Sequence, residues 1–302
     1  MKYLIVGGVA GGATAAARIR RNDESASITL FERGNYISYA NCGLPYYIGG
    51  TIPDRSRLLL QTPESFSARY AVDVRVGHEV IAINPTERTI KVKEIARGFE
   101  YSESYDKLIL SPGAEPLRPP LPGIESEGIF TLRNVADTDQ IKAWIGKRNI
   151  ERAVVVGAGF IGLEMAENLH DTGAEVTIVE MAPQVMPPID FTMAALVHQE
   201  LWSKNVALKL GSRVERFEPQ PEGILVGLHD GSTLTADIVI LSIGVKPDIR
   251  LAKEAGLQIV KAGGIAVNEY LQTSNPDIYA IGDAIEVRNS ITGKPFTPYL
   301  AG

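Results

Sequence analysis

The sequence predicts an α/β protein with two Rossmann-like units, and two glycine-rich turns are the main reason. Residues 7–12 read Gly-Gly-Val-Ala-Gly-Gly and follow the apolar run of residues 3–6. Residues 157–162 read Gly-Ala-Gly-Phe-Ile-Gly and follow the apolar run of residues 153–156. A buried strand, a tight glycine turn and a helix, in that order, are typical of a parallel sheet that binds a dinucleotide.

The remaining elements follow in order along the chain. The first βαβ unit comprises a strand at 3–6, a helix at 11–21 and a strand at 28–32, and the small residues of that helix favour close packing on a sheet. A helix in the second half of residues 57–70 is predicted to begin near Pro63. Further strands are predicted at 72–76, 80–83, 89–92, 105–110, 225–228, 238–241 and 278–283, and the second βαβ unit spans 153–180.

Two crossover segments divide the chain. Residues 116–122 are rich in proline and form the first crossover. Residues 242–248 form the second, which returns the chain to the first domain before the last predicted strand. We therefore predict that one domain is inserted into the other, with boundaries at residues 1–115 and 243–302 for the first domain and 116–242 for the second.

Composition limits the possible functions. The chain has 302 residues, which is enough for about two domains. Its net charge of −6 gives no electrostatic preference for nucleic acid or for an anionic membrane. One cysteine excludes an internal disulfide framework and fits a reducing compartment, and the four histidines show no metal-ligand spacing.

The N-terminal segment has only part of the signal-peptide pattern. Lys2 precedes an apolar stretch that runs to Ala17, but glycines interrupt this stretch and a basic cluster follows it. No other stretch has the length and purity of a membrane span. We therefore expect a soluble cytoplasmic protein without a metal, nucleic-acid or membrane partner.

The glycine turns and two glutamates point to dinucleotides as ligands. Such turns let the backbone approach a pyrophosphate, and the helix N-terminus supplies N–H donors. Glu32 and Glu180 each end the next strand, where a carboxylate can bind ribose hydroxyls. The alternative is a pair of ordinary turns with surface glutamates, and Val9 departs from the glycine pattern. No arginine follows at 181–184 to hold a 2′-phosphate, which favours NADH over NADPH.

Cys42 is the candidate redox group. Ser38, Tyr39 and Asn41 flank it with hydrogen-bonding groups, and a helix beginning at about residues 43–45 would favour the thiolate. Two dinucleotides in one chain suggest electron transfer, and a thiol is a possible acceptor. The alternative is that Cys42 is a small buried hydrophobic residue.

The residues quoted above together resemble the FAD- and NAD(P)H-dependent disulfide oxidoreductases of the single-cysteine branch. Within that family the likeness is greatest to coenzyme A disulfide reductases and NADH-dependent persulfide reductases. The resemblance covers the whole chain and is carried by residues 6–14, 38–46, 104–114, 157–164 and 273–283. It implies the glutathione-reductase-type fold, in which the NAD domain is inserted in the FAD domain.

The resemblance also implies roles for individual residues. FAD would be held in the first domain by Gly7, Gly12, Glu32, Arg33, Val80, Ser111, Gly113, Gly282 and Asp283. NADH would be held by Gly157, Gly159, Gly162 and Glu180, with Glu164 by the nicotinamide, and Gly244 is a further cofactor-binding residue. Coenzyme A would contact Thr14, Arg18, Arg21, Ser38, Asn41 and Tyr70. The arginines also lie in the last turn of the first helix with Arg20, where the helix dipole alone favours cations.

The expected activity is reduction of coenzyme A disulfide, coenzyme A persulfide or polysulfide by NADH through FAD and Cys42. One alternative is an oxidase or peroxidase, although Ala10 occupies the position where those relatives carry a histidine. Others are an electron-transfer reductase in which Cys42 is structural, and a dinucleotide sensor without turnover. Residues 298–302 are expected to begin a helix. The family continues with a C-terminal dimerisation domain, so the full-length protein is expected to be a homodimer.

Overall fold

The computed structural model describes residues 1–261 and 263–296, with the backbone alone for residues 295 and 296. The chain forms two compact units. The first comprises Met1–Ala40, Leu59–Glu115 and the described part of Lys246–Gly302, and the second comprises Asn41–Leu58 and Pro116–Val245. Asn41–Leu58, which carries Cys42, is therefore grouped with the unit that holds the second glycine turn. The predicted helix start at 298–302 lies outside the described residues.

Seven α-helices are present in the described residues. They are α1 (Ala10–Asn22), α2 (Leu44–Gly49), α3 (Pro63–Tyr70), α4 (Val135–Lys147), α5 (Phe160–Asp171), α6 (Phe191–Ser203) and α7 (Arg250–Glu254). The strands of the first half are β1 (Lys2–Val6), β2 (Ser27–Glu32), β3 (Asp73–Val76), β4 (His78–Asn84), β5 (Thr89–Glu94), β6 (Phe99–Ser104), β7 (Lys107–Leu110), β8 (Ala114–Pro116) and β9 (Ile129–Phe130). Those of the second half are β10 (Arg152–Val156), β11 (Glu175–Val179), β12 (Ala207–Lys209), β13 (Val214–Gln220), β14 (Gly223–Leu228), β15 (Thr233–Ala236), β16 (Ile238–Leu241), β17 (Val245–Pro247), β18 (Ile278–Ala280), β19 (Val287–Arg288) and β20 (Pro295–Phe296).

The first unit is built on a parallel sheet in the order β18-β7-β1-β2-β3. Its central strands are buried on both faces, with Leu4, Ile5 and Leu30 fully inaccessible. Such continuous apolar strands are typical of a parallel sheet covered on both sides. α1 buries Ala13, Ala16 and Ala17 against this sheet, and β4-β5-β6 form an antiparallel meander in the same unit.

The second unit repeats this plan. Its parallel sheet has the order β12-β11-β10-β16-β9, and β13-β14-β15 form its antiparallel meander. β10, β11, β12 and β16 correspond to β1, β2, β3 and β7 of the first unit. The outermost strand differs in origin, because β18 follows the other strands of its sheet in the chain whereas β9 precedes them. The predicted α/β fold class with two Rossmann-like units is confirmed.

None of the helices within the described residues is both long and apolar enough to cross a membrane.

Candidate functional site

The first glycine turn is closed by contacts that only glycine permits. Gly7 has φ +94°, and a Cβ there would overlap the carbonyl oxygen of Ser111. A Cβ on Gly12 would in turn overlap the carbonyl oxygen of Gly7. These glycines therefore allow α1 to start directly above the carboxyl ends of the strands.

The second turn uses the same contacts at equivalent places. Gly157 has φ +102° and lies against the carbonyl of Ser242, and Gly162 lies against the carbonyl of Gly157. The Ser242 hydroxyl donates to the carbonyls of Val156 and Gly157, both at 3.0 Å. Sequence reasoning missed Ser242, although it follows β16 as Ser111 follows β7.

Gly159 differs from these four glycines. Its backbone has φ −79° and ψ −171°, which any residue adopts, and no atom lies within 4 Å of an added Cβ. The fold itself therefore does not need glycine at this position. The open space in front of Gly159 fits a ligand that approaches the backbone closely, as a pyrophosphate does.

Each unit places a glutamate under its glycine turn. Glu32 accepts hydrogen bonds from the N–H of Gly8 at 2.8 Å and of Gly34 at 2.7 Å. Glu180 accepts from the N–H of Ala158 at 2.7 Å and of Ala182 at 2.8 Å. A carboxylate has about four acceptor sites, so both glutamates keep capacity for the hydroxyls of a ribose.

The helices behind the two turns begin without a side-chain cap. Neither Val9 before α1 nor Gly159 before α5 makes a capping hydrogen bond. α3 and α4 begin with complete capping boxes, led by Thr62 and Asn134, whereas α2, α6 and α7 also begin without a side-chain cap. The first N–H groups of α1 and α5 are thus left for another acceptor, and the phosphates of a dinucleotide fit that need.

The other residues predicted to hold FAD also lie in the first unit. Ser111 and Gly113 follow β7, and the carbonyl of Gly113 accepts from the N–H of Asp248 at 2.9 Å. Asp283 lies in a 3-10 turn that begins at Gly282. The side chain of Val80 is buried in the core, so its backbone is the part left to meet a ligand.

Arg33 is also in the first unit and is held by acidic side chains. It forms an ion pair with Glu115 and lies 3.8 Å from a carboxylate oxygen of Asp248. Burial opposes the charge, but the hydrogen bond and charge of Glu115 outweigh it and raise the pKa of Arg33. Arg33 thus stays cationic at the end of β2.

The second unit also contains Glu164, predicted to lie by the nicotinamide, and Gly244, predicted to bind a cofactor. Gly244 has φ +109°, and its carbonyl accepts from the N–H of Leu117 at 2.9 Å. Glu164 is half-buried in α5, and burial, followed by the charge of Glu167, raises its pKa. A proton therefore stays on Glu164 to higher pH than on an exposed glutamate.

Cys42 is exposed, which contradicts the alternative of a small buried hydrophobic residue. It lies in the 3-10 turn Asn41–Gly43, and α2 follows immediately, so a helix does begin where the sequence predicts one. The side-chain oxygen of Asn41 is buried and has no hydrogen-bond partner among the described residues. A ligand donor beside Cys42 would satisfy that oxygen.

The residues predicted to contact coenzyme A are partly brought together. Thr14, Arg18 and Arg21 are all exposed on α1 and spaced four and three residues apart, so they share one helix face. Asn41 is grouped with the second unit and the others with the first. Ser38 has φ +44° and donates its N–H to the carbonyl of Gly8 at 3.0 Å.

Arg20 behaves differently from the two neighbouring arginines. Its guanidinium donates to the carbonyls of Tyr70 and Ala71, each at 2.8 Å. These bonds tie α1 to the end of α3, where the ring of Tyr70 packs on Phe66. Arg20 is thus structural, whereas no partner is found for Arg18 or Arg21 within the described residues.

Among the residues that the structure describes, no group of three or more His, Cys, Asp or Glu side chains is arranged so that it could hold a metal ion.

Comparison with known proteins gives a consistent result. The sequence model of the pyridine nucleotide-disulphide oxidoreductase family matches residues 1–295. Coenzyme A disulfide reductase of Staphylococcus haemolyticus (strain JCSC1435) is 38% identical over 284 residues, covering 94% of this chain and 63% of that protein.

Two solved structures extend the comparison. Reduced Bacillus anthracis CoADR-RHD has a TM-score of 0.96 at 52% identity, covering 98% of this chain and 53% of the other. A NAD-dependent persulfide reductase from A. fulgidus has a TM-score of 0.94 at 39% identity, covering 98% of this chain and 55% of the other. The chain thus spans less than two thirds of the length of these relatives. The predicted resemblance is confirmed.

Proposed function

The chain belongs to the pyridine nucleotide-disulphide oxidoreductase family, and we propose that it oxidises NADH to reduce coenzyme A disulfide or coenzyme A persulfide through Cys42. The observation that carries this proposal is the exposure of Cys42, the one cysteine of the chain. A cysteine that only fills space is buried, whereas a redox thiol must meet its substrate.

We infer that FAD binds in the first unit and NADH in the second. The uncapped helices α1 and α5, the open space at Gly159 and the paired glutamates support this assignment. FAD, when bound, accepts a hydride from NADH and supplies the electron pair that reduces a disulfide. Residues 181–184 contain no arginine for a 2′-phosphate, which supports NADH rather than NADPH.

Cys42 would carry the sulfur chemistry. Its thiolate attacks one sulfur of coenzyme A disulfide, forms a mixed disulfide and releases the first coenzyme A thiolate. Two electrons then break the mixed disulfide, which regenerates the Cys42 thiolate and releases the second coenzyme A. With a persulfide, attack on the outer sulfur releases coenzyme A and leaves the transferred sulfur on Cys42. Reduction then frees that sulfur as sulfide.

The substrate assignment rests on the exposed face of α1. Thr14, Arg18 and Arg21 offer a hydroxyl and two guanidinium groups on neighbouring turns. Guanidinium groups bind phosphates with two parallel hydrogen bonds, and coenzyme A carries phosphates beside its thiol arm. Arg20 is already used by backbone carbonyls, so Arg18 and Arg21 are the arginines available to such a substrate.

The test is anaerobic NADH oxidation by the purified flavoprotein with coenzyme A disulfide, coenzyme A persulfide or polysulfide as the sole acceptor. We expect turnover with one of these acceptors, and Cys42→Ser should abolish it while NADH still bleaches the flavin. Turnover that survives Cys42→Ser would favour the electron-transfer reductase. Turnover with oxygen or peroxide alone would favour the oxidase, and failure to bleach the flavin would favour a sensor.

We also infer that the protein works in the reducing cytoplasm, because its lone thiol must cycle through the reduced form. A homodimer of the full-length protein is proposed from the family resemblance. Light scattering of that protein would test the dimer.

A further inference from the structure

The helix that follows Cys42 is too short to be stable alone. α2 has six residues, and isolated helices of that length do not persist in water. Its position must therefore be fixed by contacts with the rest of the second unit. Two contacts with α2, and one with the chain that follows it, come from α4 and α5.

The first contact is made by Lys142 of α4. Its ammonium donates to the carbonyl oxygens of Tyr47 at 2.7 Å and Ile48 at 3.2 Å, in the last turn of α2. The same nitrogen lies 4.7 Å from the centre of the Tyr47 ring. No carboxylate pairs with Lys142 among the described residues, and burial lowers its pKa. The carbonyl ends of α2 are thus the groups that orient this ammonium.

Two further contacts hold the same segment. Arg55 makes a two-pronged ion pair with Asp139 of α4, at 2.7 and 2.6 Å. Gly49 packs so closely on Asn168 of α5 that a Cβ would overlap the amide oxygen. Asn168 is 1% exposed, and its amide nitrogen donates to the carbonyl of Glu164 at 2.8 Å. Cys42 therefore stands at the start of a segment anchored to two helices of the second unit.

We propose that Lys142 is a positioning residue for the Cys42 thiol, acting through the C-terminal turn of α2. The inference rests on the proposed function of Cys42 and adds a residue 100 positions away in the chain. Of the three contacts, only the one made by Lys142 joins a charged side chain directly to the backbone of α2. Without it, the carbonyl of Ile48 loses its side-chain donor and that of Tyr47 keeps only the 3.3 Å bond from the N–H of Gly50, so the segment loosens and the thiol spends less time aligned for reaction.

The test compares three substitutions. Lys142→Met keeps the apolar stem on Tyr47 but removes the charge and the donors. Lys142→Arg restores both, and Lys147→Met removes an exposed lysine of the same helix that makes no contact with α2 in the described residues. The measurements are kcat and KM for disulfide reduction, flavin bleaching by NADH, alkylation of Cys42 by iodoacetamide, and hydrogen exchange of the α2 amides.

We expect Lys142→Met to lower kcat about tenfold, with KM unchanged within about twofold, because misalignment affects the reacting geometry. Hydrogen exchange of the α2 amides should rise at least about tenfold. Flavin bleaching and alkylation should stay near wild type, because neither requires α2 to be fixed and Cys42 is already exposed. Lys142→Arg should recover most of kcat, and Lys147→Met should match wild type in every measurement.

Unchanged hydrogen exchange in Lys142→Met would overturn the proposal, as would equal losses in Lys142→Met and Lys147→Met. Failure of the proposed function is distinguishable, because it would appear as absent disulfide turnover in the wild-type protein. In that case the exchange of the α2 amides still decides whether Lys142 fixes the segment.

Discussion

Gly159→Ala should separate dinucleotide binding from folding. An added methyl group meets no protein atom within 4 Å, and φ −79° suits alanine. Folding stability should therefore be unchanged or rise by up to about 1 kcal/mol, because the unfolded chain loses freedom. A pyrophosphate in that space would meet the methyl group, and overpacking of this kind costs about 1–3 kcal/mol. The apparent Kd for NADH should rise about 5- to 150-fold.

Gly162→Ala, in the same turn, should instead lower the stability of the fold. Its Cβ would overlap the carbonyl of Gly157, so α5 must shift away from β10. We expect a loss of about 3 kcal/mol or more in unfolding free energy. Gly146→Ala is a control, since it lies in α4 with no atom within 4 Å of the new methyl. Gly146→Ala should raise the unfolding free energy by roughly 0.5–1 kcal/mol and leave NADH binding unchanged.

The assay pairs urea unfolding with the NADH dependence of flavin bleaching under anaerobic conditions. The reasoning is refuted if Gly159→Ala binds NADH within about twofold of wild type. It is also refuted if Gly159→Ala destabilises the fold as much as Gly162→Ala does.

Four other variants test separate parts of the site. Glu180→Gln should raise the Kd for NADH about tenfold, read from flavin bleaching, because a charged acceptor for the turn and the ribose is replaced by a neutral amide. Arg20→Ala should lower the unfolding free energy by about 1–3 kcal/mol in urea, whereas the double variant Arg18→Ala, Arg21→Ala should stay within about 0.5 kcal/mol and raise KM for coenzyme A disulfide. The pKa of Glu164 is raised by burial and a nearby carboxylate, so the wild type loses stability as pH rises from about 4.3 through that folded pKa. Glu164→Gln should therefore be more stable than wild type at pH 7 and equal to it below about pH 4, and equal stability at both pH values would contradict this.

Both glycine turns, their glutamates and the helix start beside Cys42 could be predicted because each depends on local chemistry. A turn that brings backbone to a phosphate needs glycine, and the acid must end the next strand, so the spacing is visible in the sequence. The predicted helix at 11–21 corresponds to α1, and the predicted strand at 28–32 corresponds to β2.

Contacts between distant segments could not be predicted in this way. Asn41–Leu58 is grouped with the second unit, and its contacts there include Arg55–Asp139 and Lys142, whose partners are more than 80 residues away in the chain. The sequence of residues 41–58 contains no pattern that predicts those partners. The sequence likewise gives no separate role to Arg20, because its carbonyl partners on α3 are defined only by the fold.

Three helices were not predicted, namely α4, α6 and the five-residue α7, and the reasons differ between α4 and α6. α4 begins with a capping box at Asn134 and Asp137, and the Asn-x-x-Asp spacing is a signal visible in the sequence. α6 buries only Ala194 and His198 while exposing large apolar side chains such as Phe191, so it shows no clean helical period.

The most direct test of the central claim is the intact mass of the protein after incubation with coenzyme A disulfide in the absence of NADH. We predict one coenzyme A adduct, located on Cys42 by peptide mapping and released when NADH is added to the flavin-loaded protein. No adduct on Cys42, or an adduct that persists after NADH has bleached the flavin, would contradict the claim that Cys42 passes electrons to the substrate.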